Sequence, residues 1–172
     1  LGAALATTTG LMGGMLHVAA HAVGKITLFF CAGAIYVATK KTNVSQLDGI
    51  GRTMPFTMTA FLIGSLSIVG LPPFAGMWSK WYLGLAAVET EHLVVLAVLI
   101  ASSLLNIGYL LSIVGRAFFL PAREDGEDGE RRGIREAPLL CVLPLCLTAL
   151  ACVALFFGVD RLTALLDGAF GP

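Results

Sequence analysis

The fold of this chain is decided by one stretch, Gly70-Leu71-Pro72-Pro73-Phe74-Ala75-Gly76-Met77-Trp78-Ser79-Lys80-Trp81. Apolar runs typical of helices lie on both sides of it. Two consecutive prolines remove two amide donors, and Pro73 also disfavours the α region for Pro72. Gly70 and Gly76 tolerate the unusual backbone angles that a break requires. The stretch therefore predicts one helix broken at residues 70–76, with Lys80 just beyond the break.

The composition is typical of a membrane protein. The chain has 172 residues, of which 57% are hydrophobic and 13% are charged, whereas a soluble domain carries about 25% charged residues. The formal net charge is +0, and the sequence has no basic face that would bind a phosphate backbone. We therefore expect the lipid bilayer as the surroundings and no nucleic acid as a partner. No nucleotide, flavin or iron–sulfur motif occurs, so we expect no cofactor and no catalytic site on this chain.

The apolar runs predict an all-α membrane protein with about four transmembrane helices, one of them discontinuous. The predicted spans are residues 11–38, 54–88, 93–119 and 137–158. A charged loop, residues 121–136, precedes the last span, and a short interfacial tail completes the final unit, residues 137–172. Residues 1–6 are expected to be the tail of an earlier helix. We therefore expect the chain to be the C-terminal part of a longer membrane subunit.

The positions of the basic residues decide whether residues 54–88 cross the membrane once or twice. Eight of the 11 Lys and Arg residues lie in two segments, residues 40–52 and 116–135. Two full crossings would place these segments on opposite sides of the membrane, against the positive-inside rule. One discontinuous crossing places both segments on the same side, which we expect to be the cytoplasm.

Three ionisable residues recur along the first span, because His17, His21 and Lys25 stand at i, i+4 and i+8. On a helix they project from one face, with a drift of about 40° per step. Histidine titrates near neutral pH, and ionisable residues inside the membrane mark ion pathways. We predict a proton relay, with interhelical hydrogen bonding as the alternative. A metal site is not expected, because the span offers no third ligand at a suitable spacing.

Lys80 is the main candidate site residue. Interrupted backbone at membrane depth is tolerated only where it is buried in protein or lines a watery cavity. Burial disfavours the charged form of lysine, so a lysine at this depth can load and release protons. No Asp or Glu lies within a predicted span, so a counter-charge must come from elsewhere. The alternative is a lysine that snorkels to the membrane interface.

Three further polar residues are candidates for holding water along the path. Asn106 and Tyr109 lie on the third span, and Ser79 precedes Lys80. Ordinary helix–helix contacts explain polar residues at such positions equally well, and the sequence leaves both interpretations open.

Two segments resemble a known family, namely residues 17–36, HVAAHAVGKITLFFCAGAIY, and residues 47–83, LDGIGRTMPFTMTAFLIGSLSIVGLPPFAGMWSKWYL. They are similar to the second half of the antiporter-like proton-conducting membrane subunits. That family includes the Mrp-type multisubunit cation/proton antiporters and the large membrane-arm subunits of complex I and related hydrogenases. The resemblance is closest to the D-type Mrp subunit. It extends over residues 1–120, which would be the C-terminal part of the transporter domain.

The resemblance implies that the chain is the last four helices of a subunit with two inverted repeats. Each repeat of the family contains a discontinuous helix, and residues 54–88 would be the second of these. Lys80 matches the lysine of the second broken helix in the family. His21 and Lys25 match polar residues of the preceding helix, and His17 stands one turn before them.

The implied function is that of a subunit in a multisubunit monovalent cation/proton antiporter of the bacterial inner membrane. Other membrane subunits would be its partners, and protons with Na⁺ or K⁺ its transported ions. Two alternatives stay open. One is an antiporter-like proton-pumping subunit of an NADH:quinone oxidoreductase or a membrane-bound hydrogenase, and the other is a non-conducting structural subunit.

Overall fold

The computed structural model describes residues 2–121 and 133–170, and across these residues the chain forms helices and turns without β-strands. The helices are α1 Thr8–Thr39, α2 Pro55–Val69, α3 Gly76–Glu89, α4 Leu93–Phe119, α5 Leu139–Phe157 and α6 Val159–Phe170. Short 3₁₀ helices occupy Ala3–Leu5, Val44–Gln46 and Ile50–Arg52. The prediction of an all-α membrane fold is confirmed. Most of the predicted charged loop, residues 122–132, lies outside the described residues.

Within the described residues, three helices are long and apolar enough to cross a membrane by themselves, and these are α1, α4 and α5. Helix α2 is apolar but has only 15 residues, which at about 1.5 Å per residue is short of the roughly 30 Å hydrocarbon core. Helix α3 adds 14 residues after the break. A fourth crossing therefore requires α2 and α3 in series.

Helices α2 and α3 run in the same direction along α1. Gly64 of α2 lies against Thr27 of α1, whereas Leu83 of α3 lies against Gly13 of α1. As the chain advances through α2 and then α3, it contacts earlier and earlier residues of α1. Helices α2 and α3 therefore both run antiparallel to α1, one after the other. A hairpin would instead return α3 along α2. The predicted single discontinuous crossing is confirmed.

The described parts of both segments rich in basic residues, which are residues 40–52, 116–121 and 133–135, lie at one end of the helix bundle. The Arg116 guanidinium at the end of α4 binds the Asp48 carboxylate through Nε at 2.8 Å and Nη2 at 3.1 Å. The Gly49 amide donates to the Arg116 carbonyl at 3.1 Å, and the Arg135 amide donates to the Thr53 carbonyl at 2.7 Å. These contacts join the α1–α2 connection, the end of α4 and the start of α5. That this end faces the cytoplasm stays a prediction.

The first turn of α2 is capped by a residue that lies far away in the sequence. The N-cap residue Met54 makes no side-chain cap hydrogen bond. The Glu136 carboxylate instead accepts from the Phe56 amide at 2.7 Å, the Thr57 amide at 3.3 Å and the Thr57 hydroxyl at 2.6 Å. A carboxylate at this position satisfies free amide donors and opposes the positive end of the helix dipole. Glu136 therefore fixes the start of the broken crossing to the segment that leads into α5.

The apolar core lies between α1, α2 and α5 and is closed on one side by α4. Its most completely buried members are Cys31, Ala34, Met54, Met58, Ala117 and Leu145. Small side chains among them let the helices approach closely, as in other membrane bundles. The core holds the first half of the broken crossing in place, and the polar site lies beyond it.

Replacing Glu136 with Ala should lower the stability of the protein, because two amides and one hydroxyl at the start of α2 lose their acceptor. The expected cost is about 1–2 kcal/mol, as for other lost helix caps. Thermal unfolding of the complete detergent-solubilised protein measures it. Glu89→Ala at the exposed end of α3 is the control. Equal melting temperatures for the two variants would contradict the cap.

Candidate functional site

The break between α2 and α3 is produced by the two prolines. In a continuous helix the carbonyls of Ile68 and Val69 would accept from residues 72 and 73. Both of those residues are proline and have no amide hydrogen. The helix ends at Gly70, whose φ of 87° lies in the left-handed region that favours glycine. The prolines therefore leave a backbone carbonyl, that of Val69, free for another donor.

Gly76 lets the two halves of the crossing meet. A Cβ at this position would overlap the Ser67 carbonyl oxygen, which is backbone and has no rotamer to change. Gly70 also lies close to Gly76, because a Cβ at residue 76 would be 3.3 Å from the Gly70 Cα. The close approach brings the start of α3 against the last turn of α2.

Two hydrogen bonds to α5 fix the second half of the break. The Ala75 amide donates to the Cys152 carbonyl at 3.1 Å. The Trp78 indole Nε1 donates to the Phe156 carbonyl at 3.1 Å. Amides at a break have lost their helical acceptors, so acceptors from a neighbouring helix satisfy them at membrane depth. These two bonds tie the start of α3, which carries Lys80, to α5.

The Lys80 amine turns back toward the break. Its Nζ donates to the Val69 carbonyl at 2.7 Å and to the Ser103 hydroxyl of α4 at 2.7 Å. Its alkyl stem crosses over Gly70, where a Cβ would meet Lys80 Cδ at 2.7 Å. The C-terminal end of a helix carries a partial negative charge. The end of α2 therefore supplies a counter-charge for an ammonium group without a carboxylate.

The two histidines of α1 stack and face the start of α3. Their ring centroids are 5.3 Å apart, and His17 Nδ1 lies 3.1 Å from the Ser79 hydroxyl. That hydroxyl donates its one hydrogen to the Gly76 carbonyl at 3.0 Å. The single hydroxyl hydrogen can instead go to His17 Nδ1, so the contact between Ser79 and His17 suits either tautomer of the imidazole.

A cavity of about 240 Å³ connects these groups. Its lining residues come from α1, α2, α3 and α4, and they are His17, His21, Ile68, Lys80, Leu83, Val98, Leu99, Ser102 and Asn106. The cavity has room for several water molecules, each of which needs polar partners such as these side chains. Three helices, α1, α3 and α4, thus bring two histidines, a lysine and an asparagine to one cavity.

The other predicted site residues stand apart from the cavity. Lys25 lies on the exposed face of α1, one turn beyond His21. Tyr109 is half exposed, and its hydroxyl donates to Asn106 Oδ1 at 2.7 Å. Ser79 is buried beneath His17. Within residues 2–121 and 133–170, no three His, Cys, Asp or Glu side chains come close enough together to hold a metal ion.

Two partners of Lys80 were not singled out from the sequence. Ser103 was visible only as one polar residue among several on an apolar span, and nothing in the sequence gives the rotation of α4. The Val69 carbonyl carries no side-chain signal at all. The two prolines four residues beyond Ile68 and Val69 were the available sign that carbonyls here lack helical donors.

Comparison with known proteins identifies the family. A family model described as NADH:quinone oxidoreductase/Mrp antiporter, TM, matches residues 1–106, which include α1, the broken crossing and the first half of α4. The chain belongs to the NADH:quinone oxidoreductase/Mrp antiporter family.

Two curated relatives of this antiporter-family chain represent the two branches in the family's name. The N subunit of the NADH-quinone oxidoreductase of Desulforudis audaxviator is 37% identical over 162 residues, covering 90% of this chain and 32% of the relative. The D-type subunit of the Na(+)/H(+) antiporter of Alkalihalophilus pseudofirmus is 32% identical over 119 residues, covering 69% of this chain and 24% of the relative. The chain therefore spans about a third or less of the length of these relatives.

A solved structure supports the same assignment at the level of the fold. The structure of the Mrp complex from a Dietzia species contains a chain that superposes with a TM-score of 0.82 at 25% sequence identity. The match covers 94% of this antiporter-family chain and 37% of the other chain. The resemblance found in the sequence is confirmed, and relatives of the chain are subunits of membrane complexes.

Replacing Gly76 with Ala should disrupt the break, because the added methyl group overlaps the Ser67 carbonyl oxygen. The expected loss of stability is about 1–3 kcal/mol or more, as for other overpacked positions. Size-exclusion chromatography of the complete protein would detect the smaller yield of folded material. Gly108→Ala on α4 is the matched control, since a Cβ there meets nothing within 4 Å. A normal yield for Gly76→Ala would contradict the close approach.

Proposed function

We propose that this chain moves protons as part of a subunit in a multisubunit monovalent cation/proton antiporter. The proposal depends on one observation, which is that Lys80 lines the same cavity as His17 and His21 while its alkyl stem lies against the break. Ionisable groups are costly at membrane depth and are retained where they serve an ion path. The family membership supports a role in ion transport.

The first step of the proposed relay is exchange of a proton between the histidines and cavity water. Ser79 holds His17 through Nδ1, so Nε2 is the ring nitrogen left to exchange a proton with cavity water. His21 stacks on His17 and also lines the cavity. Water molecules bridge polar groups almost as well as direct hydrogen bonds, so protons can pass between the imidazoles and Lys80 without direct contact.

The second step is loading and release of the proton on Lys80. Two acceptors, the Val69 carbonyl and the Ser103 hydroxyl, stabilise the ammonium form. Release requires a change in the electrostatic surroundings. A second positive charge arriving about 8 Å away, at an effective dielectric constant of about 20, opposes the ammonium by about 2 kcal/mol. That energy shifts the protonation equilibrium by about 30-fold, which suffices to couple cation entry to proton release.

Lys25 is assigned to the outer end of the relay. It follows His21 by one helical turn and faces away from the described helices. A lysine at the middle of a spanning helix requires a protein or water neighbour rather than lipid. We propose that another part of the longer protein or another membrane subunit provides this neighbour. Asn106 would hold cavity water beside Lys80, while Tyr109 fixes the Asn106 amide.

The proposed location is the bacterial inner membrane, with the end that carries Lys40, Arg52 and Arg116 in the cytoplasm. The partners would be further membrane subunits of a hetero-oligomeric complex. The transported ions would be protons together with Na⁺ or K⁺.

A second candidate is supported by the 37% identity to the N subunit of an NADH-quinone oxidoreductase. In that case the same residues would carry protons in response to electron transfer on other subunits. Inverted vesicles that contain the complete complex distinguish the two functions. Proton movement on addition of NaCl or KCl alone indicates an antiporter, whereas movement that requires an electron donor indicates the redox-driven pump.

Replacing Lys80 with Ala should abolish cation/proton exchange while assembly survives, because the loading group is lost. The expected decrease is at least about 10²-fold, the low end of what a positioned proton-transfer group contributes. Exchange is measured by fluorescence of a pH-sensitive dye in vesicles. Lys41→Ala, at the basic end of α1, is the control. Exchange at the wild-type rate in the Lys80 variant would refute the proposal and favour a non-conducting structural subunit.

Replacing His21 with Ala should reduce exchange less than the Lys80 variant does, because cavity water can bridge part of the gap. His92, in the exposed turn between α3 and α4, provides the matched His→Ala control. The same vesicle assay compares the two variants. If both retain the full rate, His21 is a helix contact and the path reaches Lys80 by another route.

A further inference from the structure

Ser103 binds the Lys80 amine through its hydroxyl oxygen, and the one hydrogen of that hydroxyl is donated to another group. The Ser103 hydroxyl donates to the Leu99 carbonyl of its own helix at 2.9 Å. The contact with Lys80 Nζ at 2.7 Å therefore has the amine as donor and Ser103 as acceptor. The Val69 carbonyl, at 2.7 Å from Nζ, is also an acceptor only. Both partners of the amine thus require an N–H group.

Both protonation states of Lys80 can keep these two hydrogen bonds, and they differ at the third position on Nζ. An ammonium has three N–H donors, of which two bind Val69 and Ser103 and the third remains. A neutral amine has two N–H donors and one lone pair, so the same two bonds persist and the lone pair takes the third position. Lys80 lines the cavity together with Ser102 and Asn106, and the third position on its Nζ is the one left for cavity water.

We propose that Ser103 is a positioning residue that directs the exchangeable proton of Lys80 into the cavity. The inference rests on the proposed function of Lys80 and adds to it a defined direction of proton exchange. Ser103 does not itself carry the proton, because its hydrogen stays on the bond to Leu99. Without the Ser103 hydroxyl, the amine keeps only its hydrogen bond to the Val69 carbonyl and can rotate about that bond. The direction of its lone pair is then no longer fixed toward the cavity.

The test compares variants of Ser103 in the complete, assembled complex. Ser103→Thr keeps a hydroxyl that can bond to the Leu99 carbonyl, whereas Ser103→Val has the same shape without it. Ser112→Ala is the control on the same helix, because the Ser112 hydroxyl donates to the Tyr109 carbonyl in a similar way and is exposed. The readouts are the cation/proton exchange rate as a function of pH and the rate at which an amine-reactive reagent labels Lys80, measured by mass spectrometry.

We expect Ser103→Val to lower the maximal exchange rate and alter its pH profile, with the apparent KM for the cation unchanged. The labelling rate of Lys80 should rise by about tenfold, because the variant loses one hydrogen bond that stabilises the charged, unreactive ammonium form. Ser103→Thr and Ser112→Ala should match the wild type in both readouts. Labelling is carried out in native membranes, so it also reports on a variant whose complex is lost during purification.

Equal exchange profiles and equal labelling in Ser103→Val and Ser103→Thr would overturn the inference. That outcome differs from failure of the proposed function, which is unchanged exchange in Lys80→Ala. If Lys80→Ala is inactive and the two Ser103 variants agree with each other, Lys80 carries protons but Ser103 does not direct them.

Discussion

Every backbone polar group at membrane depth needs a partner inside the protein, and the break between α2 and α3 is where this requirement is hardest to meet. Pro72 and Pro73 remove the donors that the end of α2 would use. The Lys80 amine instead donates to the Val69 carbonyl. The side chain that satisfies the interrupted backbone thus belongs to the polar site itself.

This arrangement explains how a lysine is retained in a span that has no acidic residue. The end of α2 provides a partial negative charge and a carbonyl acceptor, and α4 provides a hydroxyl. Neutral acceptors bind an ammonium less strongly than a carboxylate would. A lysine held in this way stays responsive to modest changes in its surroundings, which a transport site requires and a structural ion pair does not provide.

The sequence predicted the main features of the fold because they depend on local chemistry, namely the proline break and the basic segments 40–52 and 116–135. It did not predict that Lys25 would leave the cavity, because a drift of about 40° per step adds up to about 80° over two steps. The contact between Ser103 and Lys80 could not be predicted, because α4 is apolar around most of its circumference. Its hydrophobic pattern therefore does not fix how the helix is rotated about its axis. Glu136 caps α2 only because two segments about 80 residues apart meet at one end of the bundle.

The ties to α5 have a consequence for how much of the chain the site needs. The broken crossing is anchored at its start by Glu136, at the break by the Cys152 carbonyl and within α3 by the Phe156 carbonyl. All three anchors come from the last quarter of the sequence, although the site residues end at Tyr109. A protein truncated after α4 would keep all the ionisable groups of the site and lose these three anchors.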